Sequence, residues 1–461
     1  MAQRSGLGTA APAAQSRETG GRAGRGALAG WAALVAGCFA VGAVLHGLGV
    51  LRIDHLPPLH AHFRVLTVTL LPAAAFAVVA VRNLPRWVGR GGFRRALFIA
   101  YGFALAWTFL LAISADGPAA PLTHPQEYLA VLPSVGQDPL GWLAGFTERL
   151  PGYPTHVRGH PPLPVLVVWA SAAVGLGGPL WAAIEVILVG CSATVAIGLT
   201  VRRLAGEAAA RRALPYLALT PVSVWIATTM DAFFAGVGAW GVALLLLGRG
   251  TTARTWCAAG AGVLLGALPY LSYGLVPYLV IPVTAALLVR LPRQAVLAAL
   301  AGAAAVTCAF AIAGFSWLAG VAATHAQWAG DPGAARPYLY FLVANVGVLA
   351  LVTGPATTAG LVRAGRHLLR CPAGGRVPLP GIVSAVPDLA RRHGAAAVVA
   401  AALVAVLALD VSGVTRGEVE RIWVPFAVWI GLAAAYAPGR RTLAAQVVTG
   451  LLLQGLVLSP W

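Results

Sequence analysis

"PPLPVLVVWASAAVGLG", residues 161–177, decides how the chain is threaded. The stretch is apolar enough to enter a membrane but short for crossing one. If it spans, every later segment inverts. The loop holding Arg202, Arg203, Arg211 and Arg212, and the arginines from Arg363 to Arg392, then face away from the basic loops that precede them. If it lies along the surface, all the arginine-rich loops share one side. The positive-inside bias of membrane proteins selects the second arrangement. Pro161, Pro162 and Pro164 at its start, and its Trp, Ser and Gly content, agree with an interfacial helix.

Outward from this stretch the chain is apolar throughout. Of 461 residues, 59% are hydrophobic and only 10% charged, and the mean hydropathy is +0.80. Runs of membrane-helix length recur, whereas the alternating short strands of a membrane barrel do not. The expectation is an all-α polytopic membrane protein with thirteen spans, N-terminus in the cytoplasm and C-terminus outside. The spans are placed at 27–50, 63–82, 96–115, 179–201, 213–229, 232–248, 255–271, 273–290, 294–316, 337–361, 393–410, 422–437 and 441–458. Residues 1–26 read as a disordered basic tail and 27–95 as two N-terminal helices. Residues 96–250 read as a core with the outer loop 116–178, and 251–461 as C-terminal helices. The Pro/Gly/Arg-rich segment 363–392 reads as an irregular cytoplasmic loop.

All 32 basic residues are Arg. Abundant Ala, Gly and Arg without Lys suggests a GC-rich bacterial genome, hence a bacterial plasma membrane. The net charge of +18 is read as arginine in cytoplasmic loops, not as a nucleic-acid surface. In the chosen threading only 7 of 32 arginines lie outside (Arg52, Arg64, Arg149, Arg158, Arg336, Arg416 and Arg421), against 10 of 14 acids. The outer face is therefore where acid chemistry is expected. The five cysteines form no CxxC pair, so neither a zinc site nor a disulfide framework is indicated.

Four outward features carry candidate residues. "ISADGP" places Asp116 at a helix exit; an ordinary interfacial carboxylate is the plainer reading. "HVRGHPPLP", 156–164, gathers His156, Arg158 and His160: imidazoles that accept protons near neutral pH and a guanidinium that forks onto phosphate or carboxylate. "TTMDAFF" puts Asp231 in a tight hairpin at the hydrocarbon edge, where it needs a compensating partner unless it only caps the next helix. "TRGEVERIW" holds Arg416, Glu418, Glu420 and Arg421, with Arg421 entering the next helix, an arrangement that favours anions or a surface ion-pair cluster. Trp142, Trp328 and Trp423 fit an aromatic belt better than a sugar platform. His55, His60 and His62 beside Asp54 match no standard metal spacing. A divalent metal ion on the outer acids stays open, since no ligand pattern is diagnostic.

In order, these parts resemble the GT-C superfamily of membrane glycosyltransferases, closest to the protein-mannosyltransferase and lipid A aminoarabinose transferase branch. Asp116 follows a helix and precedes a long outer loop. "GHPPLPVLVVW" is similar to that family's juxtamembrane His/Lys-Pro-Pro helix, "VRRLAGEAAARRA" to its basic turn, and "LTPVSVWIATTMDAFFAGVGAW" to its helix pair with an outward Asp. The resemblance covers about 96–250. It departs in the two extra helices before it and in Gly117, where the family often has a second acid.

The resemblance implies transfer of a sugar from a polyprenyl-phosphate donor to an extracytoplasmic glycan, lipid or protein, usually with inversion. By it, Asp116 would be the general base, His160 would line the site and Asp231 would shape it. Arg421, Arg416 and Arg158 are expected to neutralise the donor phosphate, with His156 and Glu418 beside them. No phosphate-cradling loop is present, as suits chemistry that needs no nucleotide. The rival readings are a transporter or flippase of a lipid-linked or anionic solute, and an envelope assembly protein without turnover.

Overall fold

The computed structural model describes residues 11–51, 53, 56–248, 250–369 and 379–459. They are almost wholly helical. Helix α1 is Ala11–Gly47, α2 Leu71–Gly89, α3 Phe93–Ile113, α4 Leu163–Ala173, α5 Pro179–Ala205, α6 Glu207–Ala218, α7 Asp231–Leu247 and α8 Thr251–Leu271. Then come α9 Val280–Val289, α10 Arg293–Ile312, α11 Trp317–Ala329, α12 Tyr338–Thr353, α13 Pro355–Leu369, α14 Leu379–Ser412, α15 Val424–Ile430 and α16 Arg440–Leu456. Among the described residues the only strands are His62–Phe63 and Val457–Leu458, paired antiparallel. Helix α1 takes in part of the expected disordered tail, of which 1–10 lie outside the described residues; so do 370–378 of the expected irregular loop, together with Cys371. Cys38, Cys191, Cys257 and Cys308 are free thiols.

Among the described residues six helices are long and apolar enough to cross a membrane, or seven if the bent pair α12–α13 is one span. Of the other expected segments, 255–271 is one helix, α8, of 21 residues that is not among those six, and the rest are shorter or broken, for local reasons. Segment 213–229 is not one helix: α6 stops at Ala218, and Pro221, without an N–H, separates it from the turn Ser223–Ile226. Trp107 Nε1 donates to the carbonyl of Thr220 at 3.2 Å within that gap. Segment 337–361 turns through 104° between α12 and α13. Gly354 sits there at φ 84. The groups freed by the bend are met by one side chain of α16: Gln446 accepts from the N–H of Ala356 at 3.0 Å and donates to the carbonyl of Thr353 at 2.8 Å. An irregular backbone at membrane depth needs this kind of internal satisfaction.

The deciding stretch is α4. Its eleven residues rise about 16 Å, half the roughly 30 Å hydrocarbon core, so α4 does not cross alone. Ser171 donates to the Glu185 carboxylate of α5 at 2.9 Å, fixing α4 to the start of α5. Small residues let the helices close on one another: a Cβ at Gly236 of α7 would run into the Val189 carbonyl of α5. The far ends of α3 and α5 are tied by arginine. Arg211 donates to the carbonyls of Val88 and Gly91 and to Glu207, and Arg202 lies over the Phe93 ring at 4.6 Å.

Candidate functional site

The opposite ends of α5 and α7 meet the segments 124–160, 317–336 and 411–421. Between them lies a cavity of about 420 Å³. Six of the eight candidate residues line it: His156, Arg158, His160, Arg416, Glu418 and Arg421. Asp231 lies behind this wall. Asp116 does not line it and is exposed past the end of α3.

The loop that carries the cationic wall is pinned from α12. Asn345 donates to Asp410 at 2.8 Å and to the carbonyl of Thr415 at 3.0 Å. Its own oxygen accepts from the N–H of Gly417 at 3.3 Å. The pinned turn is tight enough to hold Glu418 at φ 61, a left-handed conformation that costs a non-glycine residue about 1–2 kcal/mol. Its ion pairs offset that cost. Arg421 meets Glu418 at 2.8 Å, and Arg336 meets it at 3.5 Å.

Arg421 also reaches Asp231, at 3.6 Å, with both side chains buried. The compensating partner that Asp231 required is thus a guanidinium 190 residues away in sequence. Asp231 is the first residue of α7, but its side chain makes no cap; Met230 takes the capping position. Desolvation would raise the Glu418 carboxyl, yet the positive charges of Arg421 and Arg336 outweigh it and hold it down to about 2. Glu420, two residues on, behaves oppositely. It is buried, neither carboxyl oxygen has a hydrogen-bond partner among the described residues, and burial pushes it up to about 7.

The two histidines differ as well. Burial first, and then the charge of Arg421, push the His160 imidazole down to about 3, so it is neutral at ordinary pH. Its Nδ1 lies 2.8 Å from the carbonyl of His156, so that nitrogen carries the proton and Nε2 is an acceptor. His156 instead places Nδ1 2.8 Å from the carboxylate of Glu127. The Tyr128 ring lies beside both imidazoles. Burial, then the charges of Asp231 and Glu127, push its phenol well up.

The remaining wall is aromatic. Trp328 lines the cavity, stacks on His325 at 5.8 Å, and takes the Arg416 guanidinium over its ring at 5.6 Å. Trp142 and Trp423 are buried, contrary to the aromatic-belt expectation; Trp142 packs on Phe146 and Tyr153 of its own loop. Arg158 and Asp331 approach at 4.0 Å, both partly exposed. Among the described residues no group of three or more His, Cys, Asp or Glu is placed to hold a metal ion; His55 and Asp54 lie outside them.

Sequence reasoning missed Glu127, Tyr128 and Asn345. Glu127 was visible only as one of ten outward acids, and nothing local ties it to His156. Asn345 sits in an apolar run, where a lone amide is the available signal. No protein-family model, curated protein or solved structure matches the chain.

Proposed function

We propose that the protein is a membrane glycosyltransferase that moves a sugar from a polyprenyl-phosphate donor to an acceptor at the outer face of a bacterial plasma membrane. The observation that carries this reading is the convergence of four arginines, Arg158, Arg336, Arg416 and Arg421, on one cavity at the ends of apolar helices. A phosphate anion leaving the sugar gains charge in the transition state, and fixed guanidinium donors oppose that charge at no reorganisation cost. The aromatic wall at Trp328 gives a sugar ring an apolar face to lie on.

A second support is an apolar groove of about 630 Å³ along α8, α9 and α10. It adjoins the cavity at the 270–276 turn, where Tyr273 lines the cavity and Tyr270 and Val276 line the groove. A headgroup in the cavity and a hydrocarbon tail in the groove describe a lipid-linked substrate. In this reading the chain crosses thirteen times, with a cytoplasmic N-terminus, and α4 lies at the outer interface. Asp116, outside the cavity, has no part in the proposed chemistry.

The test is purified protein in liposomes, given radiolabelled polyprenyl-phosphate sugars and an envelope extract as acceptor. Transfer of label to the acceptor is the expected result. Labelled lipid that instead changes leaflets unaltered would replace this reading with a flippase.

A further inference from the structure

Building on the transferase reading, we propose that Glu127 and His156 form the carboxylate–imidazole pair that takes the acceptor's proton. The pair is made by folding, not by sequence proximity. Residues 124–128 and 153–160 are laid together by two backbone contacts: the N–H of His156 donates to the carbonyl of Gln126 at 3.2 Å, and the N–H of Thr155 donates to Oε1 of Gln126 at 2.7 Å. These place the His156 ring in the cavity wall with Nδ1 2.8 Å from Oε1 of Glu127. Glu127 is 2% exposed and His156 7%.

The chemistry follows from that contact. A carboxylate on Nδ1 fixes the ring proton there, leaves Nε2 as the basic nitrogen and stabilises the imidazolium once it forms. Two neighbouring groups of the wall, Glu418 and His160, are poorer proton acceptors. Glu418 is held to about 2 by Arg421 and Arg336; Asp231, pushed up to about 6 by burial, lies behind the wall and does not line the cavity. His160 is pushed down to about 3 by burial and Arg421. Groups that face His156 among the described residues include Glu127 and Tyr128 from the first segment, His160 from its own and Asp231 from α7.

In the step itself, the acceptor hydroxyl oxygen bonds to the anomeric carbon as the bond from that carbon to the phosphate oxygen breaks. The electron pair leaves with the polyprenyl phosphate, facing the arginines. The hydroxyl proton passes to Nε2 of His156.

The experiment compares wild type, His156→Gln and Glu127→Gln in the liposome assay, with kcat followed against pH. His156→Gln is expected to lower kcat by about 100-fold or more, with partial rescue by added imidazole. Glu127→Gln is expected to lower kcat about tenfold and to move its acid limb to lower pH, because the imidazolium loses its stabilising charge. A His156→Gln enzyme with wild-type turnover overturns the pair alone. So does an unmoved acid limb in folded Glu127→Gln, which leaves the contact a mere clamp and decides the matter if His156→Gln does not fold. A wild type silent with every donor sinks the transferase reading, and the pair as its proton acceptor goes with it.

Discussion

Asp116 and Asp231 are both carboxylates at helix ends, both read from sequence as outer acids, and the fold treats them oppositely. Asp116 sits exposed past the end of α3. Asp231 is buried against Arg421 at the start of α7. Glu420 makes a third case, buried with no hydrogen-bond partner on either oxygen among the described residues. The difference separates acids by what their placement costs. An acid at an interface is inexpensive and uninformative. An acid taken out of water together with a cation has been placed there against a desolvation penalty of several kcal/mol.

The largest break in this comparison comes from Arg421→Met. It leaves Asp231 and Glu418 without their shared cation, and removing one partner of a buried pair costs roughly 3–5 kcal/mol. Thermal unfolding in detergent should fall accordingly, and transfer should be lost. Adding Asp231→Asn should recover part of the stability, a coupling of about 0.5–3 kcal/mol in a double-mutant cycle. Strict additivity of the two changes would remove the ion pair from the account.

Glu420 sharpens the comparison through pH. Its folded value of about 7 lies above its ordinary 4.5, so the folded state binds the extra proton between them. Its contribution to stability is present below about 4.5 and is lost as pH rises through about 7. Glu420→Gln should therefore gain on wild type across that interval, read as a difference in Tm that shifts in the variant's favour. A Tm difference independent of pH would show Glu420 to be charged or solvated.

The smallest effect belongs to Asp116→Asn. Surface changes of this kind usually stay within about 0.5 kcal/mol, and turnover should remain within about twofold of wild type. A hundredfold loss would move the chemistry out of the cavity and back to the exit of α3.

Much of this was legible in the sequence, and the limits have physical causes. The apolar runs fix the membrane class because hydrophobic length is a local property. The brevity of α4 followed from prolines and loop charge. The requirement that Asp231 find a cation was readable from its position, though its partner's identity was not, since pairing across 190 residues leaves no local trace. The same limit hid Glu127 behind His156. Helix breaks at Pro221 and Gly354 escaped a hydropathy reading because apolar residues continue through both, and only backbone geometry interrupts them.

The bend at Gly354 also has a consequence for the order of synthesis. The N–H of Ala356 and the carbonyl of Thr353 are met by a side chain 90 and 93 residues further along. Until the ribosome has delivered Gln446, that turn carries unmet polar groups beside lipid, each costing several kcal/mol. The middle of the protein is therefore finished by its last helix.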